Sequence, residues 1–154
     1  MLNIGNAAPD FTLPNQYDEN ITLSNYKGKW IVLYFYPKDM TPGCITEACT
    51  FQEGMPDFSK IDAVILGVSK DSITRHKKFA EKYNLQFSLL SDENSTVCET
   101  YETWQKKKLY GREFMGIVRS TYIISPEGNI AKVYPKVKVK EHAAEVLEFL
   151  KSVK

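Results

Sequence analysis

Two cysteines five residues apart, Cys44 and Cys49, offer the most reactive chemistry in this sequence. They lie in the segment PKDMTPGCITEAC (residues 37–49), which follows an apolar run and opens a helical pattern. A thiol in the first turn of a helix faces unpaired backbone N–H groups and the positive end of the helix dipole, and both favour the nucleophilic thiolate. Thr41 adds a hydroxyl able to hydrogen-bond the sulfur. The sequence therefore predicts that Cys44 is a nucleophile.

The spacing between the two cysteines predicts a conformational change during any reaction between them. In an intact helix, residues five apart have Cα atoms roughly 8–9 Å apart and about 140° around the axis. A disulfide needs a Cα separation of about 4.4–6.8 Å. Cys44 and Cys49 can therefore bridge only if the helical turn between them unwinds. The alternative interpretation is that both are small buried apolar residues on an amphipathic helix.

Arg119 is the cation that we expect beside the Cys44 thiolate. It lies in the apolar run Ile117–Ile124, which we predict to be a strand, and a buried arginine needs an anionic partner. The alternative is an arginine on an edge strand that reaches solvent. Glu47, one helical turn after Cys44, is a weaker candidate for proton transfer, because a carboxylate near a helix start is also expected from the helix dipole.

The remaining cysteine and the two histidines have weaker claims to a function. Cys98 lies on a short predicted helix with apolar neighbours, and we interpret it as buried packing, with an alternative resolving thiol as the other possibility. His76 and His142 form no HxxH or HExxH spacing, so a histidine metal site has little support. No glycine-rich phosphate loop is present. The predicted chemistry requires neither a metal nor another cofactor.

The order of predicted elements indicates a mixed β-sheet flanked by helices on both faces. Trp30–Tyr36 and Ala63–Val68 are continuous apolar runs typical of central strands. The other predicted strands are Asp10–Leu13, Ile21–Leu23, Phe87–Leu90, Ile117–Ile124 and Ile130–Tyr134, the last two joined as a hairpin by a turn at Pro126–Asn129. The predicted helices are Cys44–Phe58 with Pro56 as a late bend or stop, Ser72–Tyr83, Asn94–Tyr101 and Glu141–Leu150. This order predicts a thioredoxin-like α/β fold with an N-terminal β extension, in a single domain spanning residues 1–154.

Composition excludes several classes of partner. The chain has 20 Lys and Arg against 19 Asp and Glu, a formal net charge of +1, so no strong field argues for nucleic acid or an anionic membrane. No segment has the length of a membrane span and the N-terminus lacks the pattern of a signal peptide. Three cysteines are too few for a stapled secreted protein. We therefore expect a cytoplasmic protein.

The cysteine segment resembles that of the peroxiredoxins. Pro37, Thr41 and Cys44 reproduce the family's PxxxTxxC signature, and TPGC followed by Cys49 resembles the bacterioferritin comigratory protein, or peroxiredoxin Q, subfamily. The likeness extends over nearly the whole chain. Its other landmarks are Ala8–Phe11, Tyr34–Lys38, Leu66–Ser69, Leu89–Asp92, Arg119–Thr121 and Gly128.

The resemblance implies a role for each residue of the motif. Cys44 would be the peroxidatic cysteine, Thr41 would hydrogen-bond the sulfur and the peroxide, and Pro37 would shield the sulfur. Arg119 would stabilise the thiolate and polarise the peroxide. Cys49 would be the resolving cysteine, and thioredoxin would be the reductant.

The expected activity is therefore a thiol-dependent peroxidase acting on hydrogen peroxide and organic hydroperoxides. Cys44 would become a sulfenic acid, which Cys49 would convert to an intramolecular disulfide. Because that disulfide needs no second subunit, we expect a monomer. The alternatives are a thiol–disulfide oxidoreductase on the same fold, which the five-residue spacing disfavours, and a redox-sensing module that uses the two cysteines as a switch.

Overall fold

A five-stranded mixed sheet forms the centre of the computed structural model, which describes residues 1–153. Its strands are β3 (Trp30–Phe35), β4 (Ala63–Ser69), β5 (Ser88–Ser91), β8 (Ser120–Ile124) and β9 (Ile130–Tyr134), in the order β5-β4-β3-β8-β9. β3, β4 and β5 are parallel, whereas β8 and β9 run antiparallel to their neighbours. Two small antiparallel pairs lie outside this sheet: β1 (Thr12–Pro14) with β2 (Asn20–Thr22), and β6 (Trp104–Leu109) with β7 (Arg112–Ile117).

Four helices cover the two faces of the sheet, as predicted. They are α1 (Pro42–Lys60), α2 (Ile73–Tyr83), α3 (Thr96–Thr100) and α4 (Val139–Val153), with a 3₁₀ turn at Leu23–Tyr26. Side chains of α1, α2 and α4 pack together against one face, and α3 packs against the other. The prediction of a mixed sheet between helices, with a β extension before it, is therefore confirmed.

The apolar run of β3 is continuous because both of its faces are buried. Side chains alternate along a strand, and Val32 and Tyr34 join the cluster under α1 while Leu33 and Phe35 join the cluster on the opposite face. All four are at most 1% exposed. This central strand leads directly into the loop that precedes Cys44.

Helix α1 differs from its predicted bounds at both ends. It begins at Pro42, where the missing N–H of proline is harmless because the first N–H groups of a helix have no partner within it. It also continues through Pro56 to Lys60, so Pro56 does not stop the helix, which was one of the two predicted alternatives. The fully buried Phe51 and Phe58 lie on either side of Pro56, and their packing holds the helix together across one lost hydrogen bond.

The segment predicted as one strand, Ile117–Ile124, is two strands in different sheets. β7 ends at Ile117, paired with Trp104, and β8 begins at Ser120, paired with Phe35. The β6–β7 hairpin itself was not predicted. Its two-residue turn, Tyr110 and Gly111, has positive φ at both positions, as tight hairpins prefer. Its sequence lacks a strand signal because much of it is exposed and three consecutive lysines run along β6.

The other predicted elements lie within about three residues of their observed bounds. Among them, β9 and the Ser125–Asn129 turn before it match closely, with the N–H of Ser125 donating to the carbonyl of Asn129. Within residues 1–153, no helix is both long enough and apolar enough to cross a bilayer.

Candidate active site

Cys44 lies in the first turn of α1, beyond the carboxyl end of β3. The N–H of Ile45 donates to the carbonyl of Thr41 (2.9 Å), which places the N–H groups of Gly43 and Cys44 ahead of the helical hydrogen-bond ladder. Thr41 is the N-cap, with extended backbone dihedrals. The Cys44 side chain is only 2% exposed. A small anion at this sulfur would meet the positive end of a nineteen-residue helix.

Arg119 contacts the sulfur directly. Its Nη2 donates to Cys44 Sγ over 3.2 Å, and its Nη1 donates to Glu47 Oε1 over 2.7 Å. Arg119 lies in the link between β7 and β8 rather than inside a strand, which corrects the predicted placement. Its side chain is 18% exposed, so the alternative of an arginine extended into solvent is wrong. The guanidinium fork thus joins the sulfur to a carboxylate on the same helix.

Glu47 is a completely buried acid whose charge depends on Arg119. Burial raises its pKa to about 7, and the ion pair and hydrogen bond with Arg119 oppose that shift. Its second carboxylate oxygen, Oε2, has no hydrogen-bond partner among residues 1–153. Glu47 can therefore gain or lose a proton near neutral pH, within one helical turn of the sulfur.

Two further basic side chains face this region. Lys107, on β6, donates from Nζ to the carbonyl of Ile117 (2.9 Å), and burial together with the charge of Arg119 lowers its pKa. His142, on α4, hydrogen-bonds the hydroxyl of Thr121 over 2.7 Å. Burial and the nearby Arg119 lower the pKa of His142 to about 4, so this histidine is neutral at pH 7. Neither residue was predicted from the sequence to lie at the site.

Thr41 and Pro37 occupy the loop between β3 and α1. The Thr41 hydroxyl donates to the carbonyl of Lys38 (2.8 Å). Its proton is therefore committed, and its lone pairs are left to accept a hydrogen bond. Pro37 is half-buried. Among the described residues, the side chain that hydrogen-bonds the Cys44 sulfur is Arg119. Thr41 and Pro37 precede Cys44 in the same loop.

The two remaining cysteines have different relations to Cys44. Cys49 is half-buried in the continuous helix α1 and is a free thiol, like Cys44. Burial, together with the charge of Glu53, raises its pKa. Cys98 belongs to the cluster on the opposite face of the sheet, where burial and Asp92 raise its pKa.

One buried polar group beside this site was missed in the sequence. Asp39, in the loop before Cys44, is 1% exposed and lies 2.6 Å from His76 Nδ1 on α2. The two residues are 37 positions apart, so no local spacing joins them. An aspartate in the loop after a buried strand and a histidine on the apolar face of a helix were the available signals.

Comparison with known proteins identifies the family. Residues 4–133 match the family model described as AhpC/TSA. Peroxiredoxin Bcp of Bacillus subtilis is 53% identical over 152 residues, covering 99% of this chain and 97% of its own length. Peroxiredoxin Bcp of Escherichia coli K12 is 39% identical, covering 97% of this chain and 96% of its own.

Solved structures agree with these relatives. A mutant of peroxiredoxin Q from Xylella fastidiosa superposes with a TM-score of 0.94 at 39% identity, covering 99% of this chain and 98% of that one. The bacterioferritin comigratory protein of Xanthomonas campestris, described in terms of its alkyl peroxide reduction activity, has a TM-score of 0.89 at 41% identity and covers 93% and 91% of the two chains. The chain therefore belongs to the AhpC/TSA family and, within it, to the Bcp or peroxiredoxin Q group of thiol-dependent peroxidases with a thioredoxin fold.

Proposed function

We propose that Cys44 is the peroxidatic residue and that it reduces hydrogen peroxide and organic hydroperoxides. The Cys44 thiolate attacks one oxygen of the peroxide, the O–O bond breaks, and the second oxygen leaves as water or an alcohol after taking up a proton. Cys44 is then a sulfenic acid. The observation that carries this proposal is the 3.2 Å contact between Arg119 Nη2 and Cys44 Sγ in the first turn of α1.

The surrounding groups have separate tasks in this step. Arg119 and the Cys44 N–H stabilise the negative charge, first on the sulfur and then on the departing oxygen. The Thr41 oxygen, whose own proton goes to Lys38, accepts a hydrogen bond from the O–H of the peroxide. Pro37 shields the sulfur from bulk water.

Cys49 resolves the sulfenic acid in the second step. Its sulfur attacks Cys44 Sγ, the S–O bond breaks and water leaves, which gives an intramolecular disulfide. Because both cysteines lie on one continuous helix, the first turns of α1 must unwind before the two sulfurs meet. Unwinding also relieves the burial that, together with the charge of Glu53, raises the pKa of Cys49.

The disulfide is returned to two thiols by an external dithiol, for which we propose thioredoxin in the cytoplasm. An intramolecular bridge needs no second copy of the chain, so a monomer is sufficient for the cycle. The charge of the chain, +1, is consistent with a substrate that is a small neutral molecule.

A coupled assay tests the proposal. With thioredoxin, its reductase and NADPH present, the native protein is expected to consume many equivalents of peroxide, and Cys44→Ser is expected to consume none. Consumption limited to one equivalent per chain would instead indicate a redox sensor. Retained turnover in Cys44→Ser would show that another group is the nucleophile.

Mass spectrometry identifies the resolving thiol. After one equivalent of peroxide, the native protein is expected to hold a bridge between Cys44 and Cys49. Cys49→Ser is expected to accumulate a sulfenic acid at Cys44 that dimedone traps. A Cys44–Cys98 bridge in the native protein would reassign the resolving role.

A further inference from the structure

Asp39, in the loop that leads to Cys44, is joined to the body of the protein by several hydrogen bonds. Its carboxylate accepts hydrogen bonds from Tyr36 Oη and His76 Nδ1, both at 2.6 Å. Its backbone N–H donates to Asp71 Oδ2 (2.8 Å), and its backbone carbonyl accepts from Arg75 Nη2 (3.3 Å). Four hydrogen bonds therefore converge on a residue five positions before the nucleophile.

The partner of this aspartate, His76, is completely buried and has both ring nitrogens occupied. Its Nε2 lies 3.0 Å from the carbonyl of Leu90, a group that only accepts, so Nε2 carries a proton. A second proton lies in the 2.6 Å contact between Nδ1 and Asp39. Asp39 and His76 thus share two protons and form a pair without net charge, which removes most of the cost of burying them.

The neighbouring acid completes a closed hydrogen-bond network. Asp71 Oδ1 accepts from Arg75 Nε, and Asp71 Oδ2 accepts from Ser69 Oγ and from the Asp39 N–H. All four carboxylate oxygens of Asp39 and Asp71 therefore already accept hydrogen bonds from the protein. These hydrogen bonds fix Asp39, and with it the loop, against Asp71 and the start of α2.

A strained residue follows immediately. Met40 has φ of 66°, in the left-handed region that is unfavourable for a residue with a side chain. Such a conformation persists only where the surrounding structure enforces it. The hydrogen bonds of Asp39 hold the chain on one side of Met40, and the N-cap Thr41 begins α1 on the other.

We propose that Asp39 and His76 are positioning residues that hold the loop before Cys44 in the form that reacts with peroxide. This inference rests on the proposed function, because it concerns the balance between the folded first turn and the unwound one. The pair stabilises the folded turn, in which Arg119 contacts the sulfur. Its loss releases the strain at Met40 and favours the unwound turn, in which Cys49 reaches Cys44.

The two forms of the loop lead to opposite chemical outcomes. The thiolate attacks peroxide in the folded form. The sulfenic acid then has two routes: attack by Cys49, which expels water, or attack on a second peroxide, which gives a sulfinic acid and water or an alcohol. Loosening the loop is therefore expected to slow the first oxidation and to divert the sulfenic acid from sulfinic acid toward the disulfide.

The test compares Asp39→Ala with Asp39→Asn in the full chain. Alanine removes both carboxylate hydrogen bonds. Asparagine preserves them, since its carbonyl accepts from Tyr36 and its amide donates to Nδ1 of a neutral His76 that still donates from Nε2 to Leu90. Asp92→Ala is the matched control, because Asp92 is a buried aspartate that accepts from the N–H groups of Val97 and Cys98.

Two measurements are made on each variant: the second-order rate constant of Cys44 oxidation by stopped flow, and the sulfinic fraction at a fixed peroxide dose by mass spectrometry. In Asp39→Ala the rate constant is expected to fall by about tenfold or more, because even a small misplacement of the reacting groups slows a reaction. The same variant is expected to form less sulfinic acid. Asp39→Asn is expected to resemble the native protein in both. Asp92→Ala is expected to lose stability and to change neither measurement.

A general loss of stability is not expected to lower both the rate constant and the sulfinic fraction. Nor is it expected to leave both values native-like in Asp39→Asn. Equal values in the native protein and Asp39→Ala overturn the inference, as does a loss in Asp39→Asn that matches the loss in Asp39→Ala. If Asp39→Ala does not fold, Tyr36→Phe takes its place in the test, because it removes one hydrogen bond to Asp39. Tyr122→Phe is the control for that variant, because it loses a tyrosine hydrogen bond elsewhere, to the carbonyl of Tyr101. The same changes in direction are then expected in Tyr36→Phe alone, and their absence overturns the inference. A native protein without peroxide turnover refutes the proposed function instead.

Discussion

Replacing Glu47 by Gln is expected to change how the stability of the protein depends on pH. The pKa of Glu47 is raised, so the folded protein keeps this proton to a higher pH than the unfolded chain does. The corresponding contribution to stability is fully present below pH 4.5 and is lost as the pH rises through about 7. A glutamine side chain does not titrate, so Glu47→Gln is not expected to lose stability in this way as the pH rises.

The size of the effect follows from the burial of the carboxyl group. Its pKa is about 7, compared with an ordinary value of 4.5. Each tenfold change in proton affinity is worth about 1.4 kcal/mol, so the difference amounts to about 3 kcal/mol. Relative to Glu47→Gln, the native protein is expected to lose about 3 kcal/mol of unfolding free energy between pH 4 and pH 8.

His142 opposes this effect in the native protein. Its pKa is lowered to about 4, so its contribution to stability is present above pH 6.5 and is lost as the pH falls toward 4. The two groups therefore offset each other between pH 4.5 and 6.5. Glu47→Gln removes one of them, and the variant is expected to become more stable as the pH rises over this range.

Urea denaturation of the reduced protein at a series of pH values measures both curves. Glu53→Gln is the matched control, because Glu53 is an exposed carboxylate on the same helix and its removal is expected to leave the pH dependence unchanged. Parallel curves for the native protein and Glu47→Gln would refute the reasoning. They would mean that Arg119 holds Glu47 ionised throughout, despite its burial.

Three further predictions concern the reaction itself. Arg119→Met is expected to slow peroxide reduction in stopped-flow measurements by about 10²–10³-fold, with Arg119→Lys intermediate because lysine keeps the charge without the planar fork. Gly43→Ala places a methyl group 3.1 Å from Arg119 Nη2 and is expected to slow peroxide reduction by up to about tenfold. The melting temperature is not expected to fall, because alanine favours the helix more than glycine does. An unchanged rate would show that the guanidinium can shift without cost. Glu53→Gln removes a negative charge near Cys49 and is expected to speed alkylation of Cys49 by about twofold, as peptide mapping by mass spectrometry would show; slower alkylation would contradict the assigned cause of its raised pKa.

The parts of the fold that could be predicted are those in which burial or a turn is visible in the local sequence pattern. β9 was predicted with its observed bounds, because an apolar stretch follows a turn rich in proline and glycine. The start of α2 was predicted within one residue from the helical period of its apolar residues, and the structure adds the cap, since Ser72 accepts a hydrogen bond from the N–H of Arg75. Cys44 was expected at the start of a helix because a buried strand and a Thr-Pro-Gly lead-in precede it.

The features that were missed depend on contacts between distant parts of the chain. The helix passes Pro56 because Phe51 and Phe58 are held by the sheet and by α4, which no local pattern expresses. Asp39 and His76 meet only because the loop after β3 returns beside α2. The break in the strand at Arg119 likewise follows from a change of pairing partner, from β6 to β3, between Ile117 and Ser120.

The division of the interior into two apolar clusters also protects the protein against a wrong bridge. Cys44 belongs to one cluster and Cys98 to the other, and the central β-sheet lies between the two clusters. In the folded protein Cys98 is therefore kept apart from Cys44 by the sheet, and burial and Asp92 raise its pKa, so its position and its low reactivity both disfavour mispairing.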